Sequence, residues 1–284
     1  METIEQYKQK IKELEEENQR LRMLLNLSLK RGSSNVSDGN VYDSNRKLRI
    51  VQREITDQLA NFFFSMFWGR KDAYSVRVIK NASGKAAYYT QCVNFYKPGC
   101  FCIEHLTTPC SKCRMLQNKP LPLQRIKDHL NGVSADGVDT VGIYPLFDDG
   151  TCRFIVFNFD DHNSDSQGLN DNLKAEMNAL REICCQQGFE PIVERSRSGN
   201  GAHVWLLFKE PIEASLARQF GFGLLNAGLD YVSLQRFNYF DLMLPKQDFV
   251  DNLGNLIALP LQGNALKQGN SVFEDSEWNV YTDQ

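Results

Sequence analysis

Acidic and amide side chains closing an apolar strand are the first residues of this sequence that could do chemistry. The run Cys152 to Phe159 (CRFIVFNF) is apolar and leads into Asn158-Phe159-Asp160-Asp161-His162. Because side chains alternate along a strand, Asn158 and Asp160 project to one face and Asp161 to the other. Paired oxygen donors at a strand end can grip a hard cation such as Mg2+, whose usual work is to neutralise a triphosphate. Taken alone, such residues more often mark a turn. Two further segments converge on the same chemistry. In Glu194-Arg195-Ser196-Arg197-Ser198-Gly199-Asn200-Gly201-Ala202-His203-Val204-Trp205, a glycine-rich turn carries two arginines and two hydroxyls and leads to a histidine in an apolar strand. Glycine lets backbone N–H groups approach phosphate oxygens, and Arg195 and Arg197 offer forked donors to them beside Ser198 and Gly199. His203, with no acid near it in its own strand, reads as a core residue unless phosphate is its neighbour. Asp241, inside the apolar run Tyr239 to Pro245, is out of place unless it binds something.

Cysteine supplies the second constellation. Five of the eight cysteines fall within 22 residues, as Cys92, Cys100, Cys102, Cys110 and Cys113. The Cys110-Ser-Lys-Cys113 knuckle gives two tetrahedral zinc ligands from one tight turn, and Cys92 with either Cys100 or Cys102 completes four. Large aliphatics are few here, so Zn2+ replaces a core the segment lacks. Cys152, Cys184 and Cys185 lie in apolar patterns and read as core thiols.

The elements that must position these groups follow from composition and period. The chain has 284 residues, 42% of them hydrophobic and 24% charged, with a formal net charge of -3. That excludes a disordered or fibrous chain and leaves room for a substantial core. Without a long apolar span or a basic, apolar leader, the expected location is the cytoplasm, with no membrane segment and free thiols. Near-neutral charge also means that a polyanion must be held by local basic patches. Residues 1–30 place Ile4, Tyr7, Ile11, Leu14, Asn18, Leu21 and Leu25 on a heptad seam, a coiled-coil helix that predicts a parallel homodimer. Residues 31–45 form a Ser/Gly/Asn/Asp-rich linker. Residues 46–91 carry a helix and a hairpin, and residues 92–116 the zinc-binding segment. In residues 117–284, strands at 140–147 and 152–159 are followed by a helix at 169–187, strands at 191–195 and 202–208, a helix at 214–227 and a strand at 255–261. From Cys152 onward this is a β-α-β-β-α-β order, so the fold class is α+β: an RNA-recognition-like core with a zinc-binding insertion and an N-terminal coiled-coil helix.

From about Phe62 to the last residue, the sequence resembles the archaeo-eukaryotic primase superfamily and, within it, the primase-polymerase domain of TOTE conflict systems. The resemblance is carried by Phe67 to Tyr74 (FWGRKDAY), the cysteine cluster, Val141 to Leu146 (VGIYPL), Glu194 to Trp205, Gly254 to Gln262 (GNLIALPLQ) and Gly269 to Phe273 (GNSVF). It implies that Asn158, Asp160 and Asp241 hold two divalent ions, Mg2+ or Mn2+, while Ser198, His203 and the neighbouring arginines bind the triphosphate of an NTP or dNTP. It further implies a single-stranded DNA template and a helicase or nuclease portion or partner. In two places the chain departs from the family pattern. Asn158 stands where an Asp is expected, and Leu242 where a basic residue follows the third acid. Two readings result: a DNA primase/polymerase-type nucleotidyltransferase in a mobile-element conflict or replication system, or a catalytically impaired nucleic-acid- or nucleotide-binding module of the same fold.

Overall fold

The computed structural model describes residues 54–79, 85–95, 97–98, 100, 113–134, 137–162, 168–232, 236–250, 252–281 and 284. The coiled coil of residues 1–30 and the linker of residues 31–45 lie outside the described residues, as do Cys102 and Cys110. The first element, α1 (Asp57–Phe67), starts where Thr56 Oγ1 accepts the Leu59 N–H at 3.2 Å, with Asp57 in the first turn favoured by the helix dipole. Ala60, Phe63 and Phe67, spaced three and four apart, form its buried stripe. Strands β1 (Ser75–Ile79) and β2 (Ala86–Thr90) form an antiparallel hairpin, and α2 (Leu123–Asn131) follows. The short β3 (Val141–Ile143) pairs with β1 and with β8 (Ile257–Ala258), giving a four-stranded antiparallel sheet in the order β2-β1-β3-β8.

The second sheet holds the acidic and histidine segments. Its members are β4 (Thr151–Asp160), β5 (Ile192–Arg195), β6 (Gly201–Glu213), β7 (Phe240–Leu244) and β9 (Phe273–Glu274). Helix α3 (Asp171–Gln186) connects β4 to β5, and α4 (Ala214–Tyr231) connects β6 to β7. A one-turn helix, α5 (Gly263–Leu266), precedes β9. The strand order is β7-β4-β6-β5-β9, every neighbouring pair antiparallel. Alternation along β4 sends Ile155, Phe157 and Phe159 into one core with α3 and α4, and Phe154 and Val156 into another with α1, α2 and the smaller sheet. With both faces covered, β4 reads as an unbroken apolar run rather than an alternating one. The molecule is thus mixed α+β, built on antiparallel sheets.

Two strand assignments made from sequence need correction. The strand expected at 140–147 shortens to β3 in the smaller sheet, and its end meets β4 only through the isolated Leu146–Cys152 bridge, with Phe147 N–H donating to the Thr151 carbonyl at 2.9 Å. Tyr144 diverts the chain here, its hydroxyl lying 2.6 Å from Ser75 Oγ and 2.7 Å from Thr90 Oγ1. The strand expected at 255–261 shortens to β8 and joins the smaller sheet, so β7 is the strand that follows α4 beside β4. Among the described residues no helix is long and apolar enough to cross a membrane.

Candidate active site

Register brings the predicted groups to one end of the larger sheet. Asn158 on β4 pairs with His203 on β6, and Asp160 lies two residues further on the same face. On the other side, Asn158 pairs with Leu242 but Phe159 pairs with Phe240, so Asp241 is the extra residue of a β-bulge. A bulge re-aims a side chain that regular alternation would send to the opposite face. Here it brings Asp241 to Asn158, whose Nδ2 donates to Asp241 Oδ2 at 3.2 Å. The approach of β7 is set from below by Glu176, a buried residue of α3 whose carboxylate accepts the backbone N–H groups of Asn238 at 2.7 Å and Tyr239 at 3.0 Å. His162 closes the rim, its ring nitrogens 3.7 Å from Asp160 and 4.0 Å from Asp241. Asp161 turns away and accepts from the side chain of Asn170, the N-cap of α3, so it does not join the pair.

His203 has an acidic partner that sequence reading missed. Glu194 stands directly across the β5–β6 hairpin from it, and its Oε2 lies 2.9 Å from His203 Nδ1. The same oxygen accepts the Trp205 indole N–H at 3.0 Å, and Oε1 accepts Ser271 Oγ–H at 3.2 Å. Glu194 is 2% exposed, so this acceptor is fixed inside the protein. The arrangement ties the His203 ring through Nδ1 and leaves Nε2 on the far side. The turn alone does not fix this pairing; once the hairpin register is known, residues 194 and 203 fall opposite each other.

The turn between these strands is organised by Ser196. Its Oγ accepts the Gly201 N–H at 3.2 Å and lies 3.0 Å from Ser198 Oγ, and its carbonyl accepts the Gly199 N–H at 3.0 Å. Gly199 takes φ +88, a backbone conformation that favours glycine, and a Cβ there would push against the Asn270 side-chain amide. The two arginines part company. Arg197 reaches the smaller sheet and hydrogen-bonds Tyr88; burial pushes the Tyr88 phenol up, and Arg197 pulls it back. Arg195 projects from the helix-covered face, where it pairs with the buried Glu274 and donates to the Gly269 carbonyl at 3.4 Å. Asn158, Asp160, Asp241 and His203 are therefore gathered on one face with Ser198 and Gly199 in the adjoining turn, whereas Arg195 is engaged elsewhere.

The sequence matches the family described as TOTE conflict system, Archaeo-Eukaryotic Primase domain, over residues 58–284. The chain belongs to this primase domain family. Among solved structures, the polymerase domain from Mycobacterium tuberculosis Ligase D in complex with DNA is similar at 13% identity and a TM-score of 0.41, over 76% of this chain and 83% of that one. No curated protein matches.

In this primase domain the cysteines divide. Cys92 Sγ accepts the backbone N–H groups of Asn94 at 3.3 Å and Gln117 at 3.4 Å; Cys100 is buried and Cys113 half-buried. Among the described residues no group of three or more His, Cys, Asp or Glu side chains is arranged to hold a metal ion. Burial pushes the Cys152 and Cys184 thiols up to about 12, as suits core residues, but Cys185 is exposed. Its position at the end of α3 puts it on the outer side of the helix, which the apolar pattern did not reveal.

Proposed function

We propose that this primase domain is a nucleotidyltransferase that makes or extends primers on single-stranded DNA from NTPs or dNTPs, within a mobile-element conflict or replication system. The observation that carries the reading is the bulge that takes Asp241 out of register and sets it 3.2 Å from Asn158, on the rim that Asp160 and His162 share. A surface acid needs no bulge; one that converges on a second acid from another strand answers to a ligand. The donors are two carboxylates and an amide, all oxygen, which is the set that Mg2+ or Mn2+ takes. Asp160, Asp241 and Asn158 would hold the ions, which supply neutralisation of the triphosphate and a lower pKa for the attacking 3′-hydroxyl. His203, steadied by Glu194, and the Ser198–Gly199 turn would orient the phosphates, with Arg197 reaching them from the Tyr88 side.

The same hydrogen bond favours the second reading, a nucleotide- or nucleic-acid-binding module without turnover. Asn158 brings no charge, and its amide already occupies one oxygen of Asp241. Loss of one preorganised charge at a developing anion costs roughly 100- to 1,000-fold in rate. Extension of a labelled primer by the parent, Asn158→Asp and Asp241→Ala proteins, each with Mg2+ and with Mn2+, separates the two. An enzyme is slow as the parent, faster as Asn158→Asp and dead as Asp241→Ala; a binding module is silent in all three. Within the same proposal, Zn2+ sits on Cys92, Cys110, Cys113 and either Cys100 or Cys102, and residues 1–30 pair two copies. The two N–H groups directed at Cys92 Sγ support the zinc assignment, because a ligating thiolate is an acceptor. A helicase or nuclease portion or partner would complete the system.

A further inference from the structure

Charge is unevenly spread along this chain. Between Ala73 and Leu121 lie seven Lys and Arg against a single Glu, in a sequence whose overall balance is -3. Part of that excess is carried by a two-stranded ribbon that continues from β2. Val93 N–H donates to the Gln117 carbonyl at 2.9 Å and Lys119 N–H to the Gln91 carbonyl at 3.2 Å, with Cys92 bridged to Asn118. Asn94 Nδ2 adds a bond to the Met115 carbonyl at 2.9 Å. These bonds hold residues 91–95 against residues 115–119. Val93 and Phe95 are 40% and 45% exposed; Lys97, two residues after the first segment, Arg114, just before the second, and Lys119 are exposed as well. The described residues of this ribbon include no Asp or Glu. Among the described residues the acid that meets it is Asp72, which accepts from Asn118 Nδ2 at 3.3 Å and is already paired with Arg70. An exposed aromatic ring with cations in excess is the make-up of a surface that tracks a single-stranded polynucleotide: cations for phosphates and a ring for a base.

We propose that this ribbon, through Phe95, Lys97, Arg114 and Lys119, holds the single-stranded template of the primase domain. The proposal rests on the polymerase reading given above and adds where the strand is gripped. β2 links the two places, because Tyr88 hydrogen-bonds Arg197 beside the site and the ribbon begins only a few residues further along. Phe95 follows Tyr88 by seven residues, at most roughly 23 Å of extended chain. A template leaving the acidic rim would therefore meet the ribbon without a long detour. The acidic rim itself repels a phosphate backbone, so a basic surface at this distance gives the strand a hold that the site lacks.

Binding of a labelled oligothymidylate to the full chain, followed by fluorescence anisotropy over a range of salt, tests this. Each phosphate contact adds about 0.7 to the slope of log K against log salt for a single strand, so Lys97→Ala/Arg114→Ala/Lys119→Ala should flatten the slope by about 2. Phe95→Ala should weaken binding with the slope unchanged, since stacking releases no counterions. Nucleotide affinity and thermal melting of all variants should match the parent. If the triple variant folds poorly, Lys97→Ala and Lys119→Ala singly should each flatten the slope by about 0.7. A parent that binds the oligonucleotide while the lysine and arginine variants keep its slope would overturn the ribbon assignment alone. A parent that binds no oligonucleotide would overturn the polymerase reading and the ribbon with it.

Discussion

Asn158 and Asp241 share a hydrogen bond at 3.2 Å where two carboxylates would repel each other. That contact sets opposite demands on stability and on activity. Replacing Asn158 with Asp removes the donor and places like charges side by side, which favours a bound cation. Asn158→Asp should therefore unfold at lower urea concentration than the parent in chelator, recover in Mn2+, and extend primers at least about tenfold faster. Equal extension rates would show that position 158 touches no catalytic metal. Glu194 is the second decisive residue, buried and accepting from His203, Trp205 and Ser271. Glu194→Gln keeps the shape but can no longer accept from every partner, so the ring of His203 loses its orientation. Nucleotide affinity should fall about tenfold, and in a His203→Ala background the same change should add nothing. Additive losses would mean that Glu194 acts on the fold and not through His203. These two residues also mark what the sequence could convey. The alternation that put Asn158 and Asp160 on one face needed only local geometry, whereas the partner of His203 lies across a hairpin and emerges only once the register is known.

At the scale of elements, the contact between α2 and α5 carries the segment that supports Glu194. Helix α2 ends at Gly132, which takes φ +61 and whose N–H donates to the Asp128 carbonyl at 3.0 Å. A Cβ at this position would stand 2.6 Å from the Gly263 carbonyl carbon and 2.9 Å from its Cα, backbone atoms that cannot rotate aside. α5 leads directly to Ser271, the donor to Glu194, and Gln262 at its N-cap binds Asp139 at 2.8 Å. Gly132→Ala should thus lower unfolding free energy by about 2 to 4 kcal/mol, from left-handed strain and overpacking together. Chemical denaturation measures it, and a loss under about 1 kcal/mol would mean that the two segments separate easily. Helices α3 and α4 and strands β5 and β6 were legible because caps, period and the glycine turn all agree. β3 and β8 were not, since strands of three and two residues carry too little pattern to reveal their partners. The bulge at Asp241 was equally hidden: an isolated Asp in an apolar run signals that something is unusual, but only pairing with β4 reveals which way it points.

For the whole molecule, pH tests how α2 is joined to the smaller sheet. His129 is fully buried, takes the Val141 N–H on Nδ1 at 3.2 Å and lies 2.9 Å from the Pro260 carbonyl through Nε2, so α2, β3 and the segment after β8 meet on one ring. This pattern fixes the neutral tautomer with the proton on Nε2, and burial holds the imidazole below its ordinary value of 6.5. In the unfolded chain the ring titrates normally and binds the proton that the folded protein refuses. The stability from this neutral ring is present in full above the unfolded value of 6.5 and is lost as pH falls towards the depressed folded value. The loss for one proton is at most about 1.4 kcal/mol per pH unit. Asp72 behaves separately, because Arg70 holds its carboxyl below 3.8 and its contribution is lost only in stronger acid. Urea unfolding at about pH 7.5 and about pH 5.5 should therefore show the parent weaker at the lower pH, and His129→Gln, though less stable throughout, should lose much of that difference. If the parent and His129→Gln fall by the same amount between the two conditions, other groups carry the dependence and His129 is not the proton-sensitive joint between α2 and the smaller sheet.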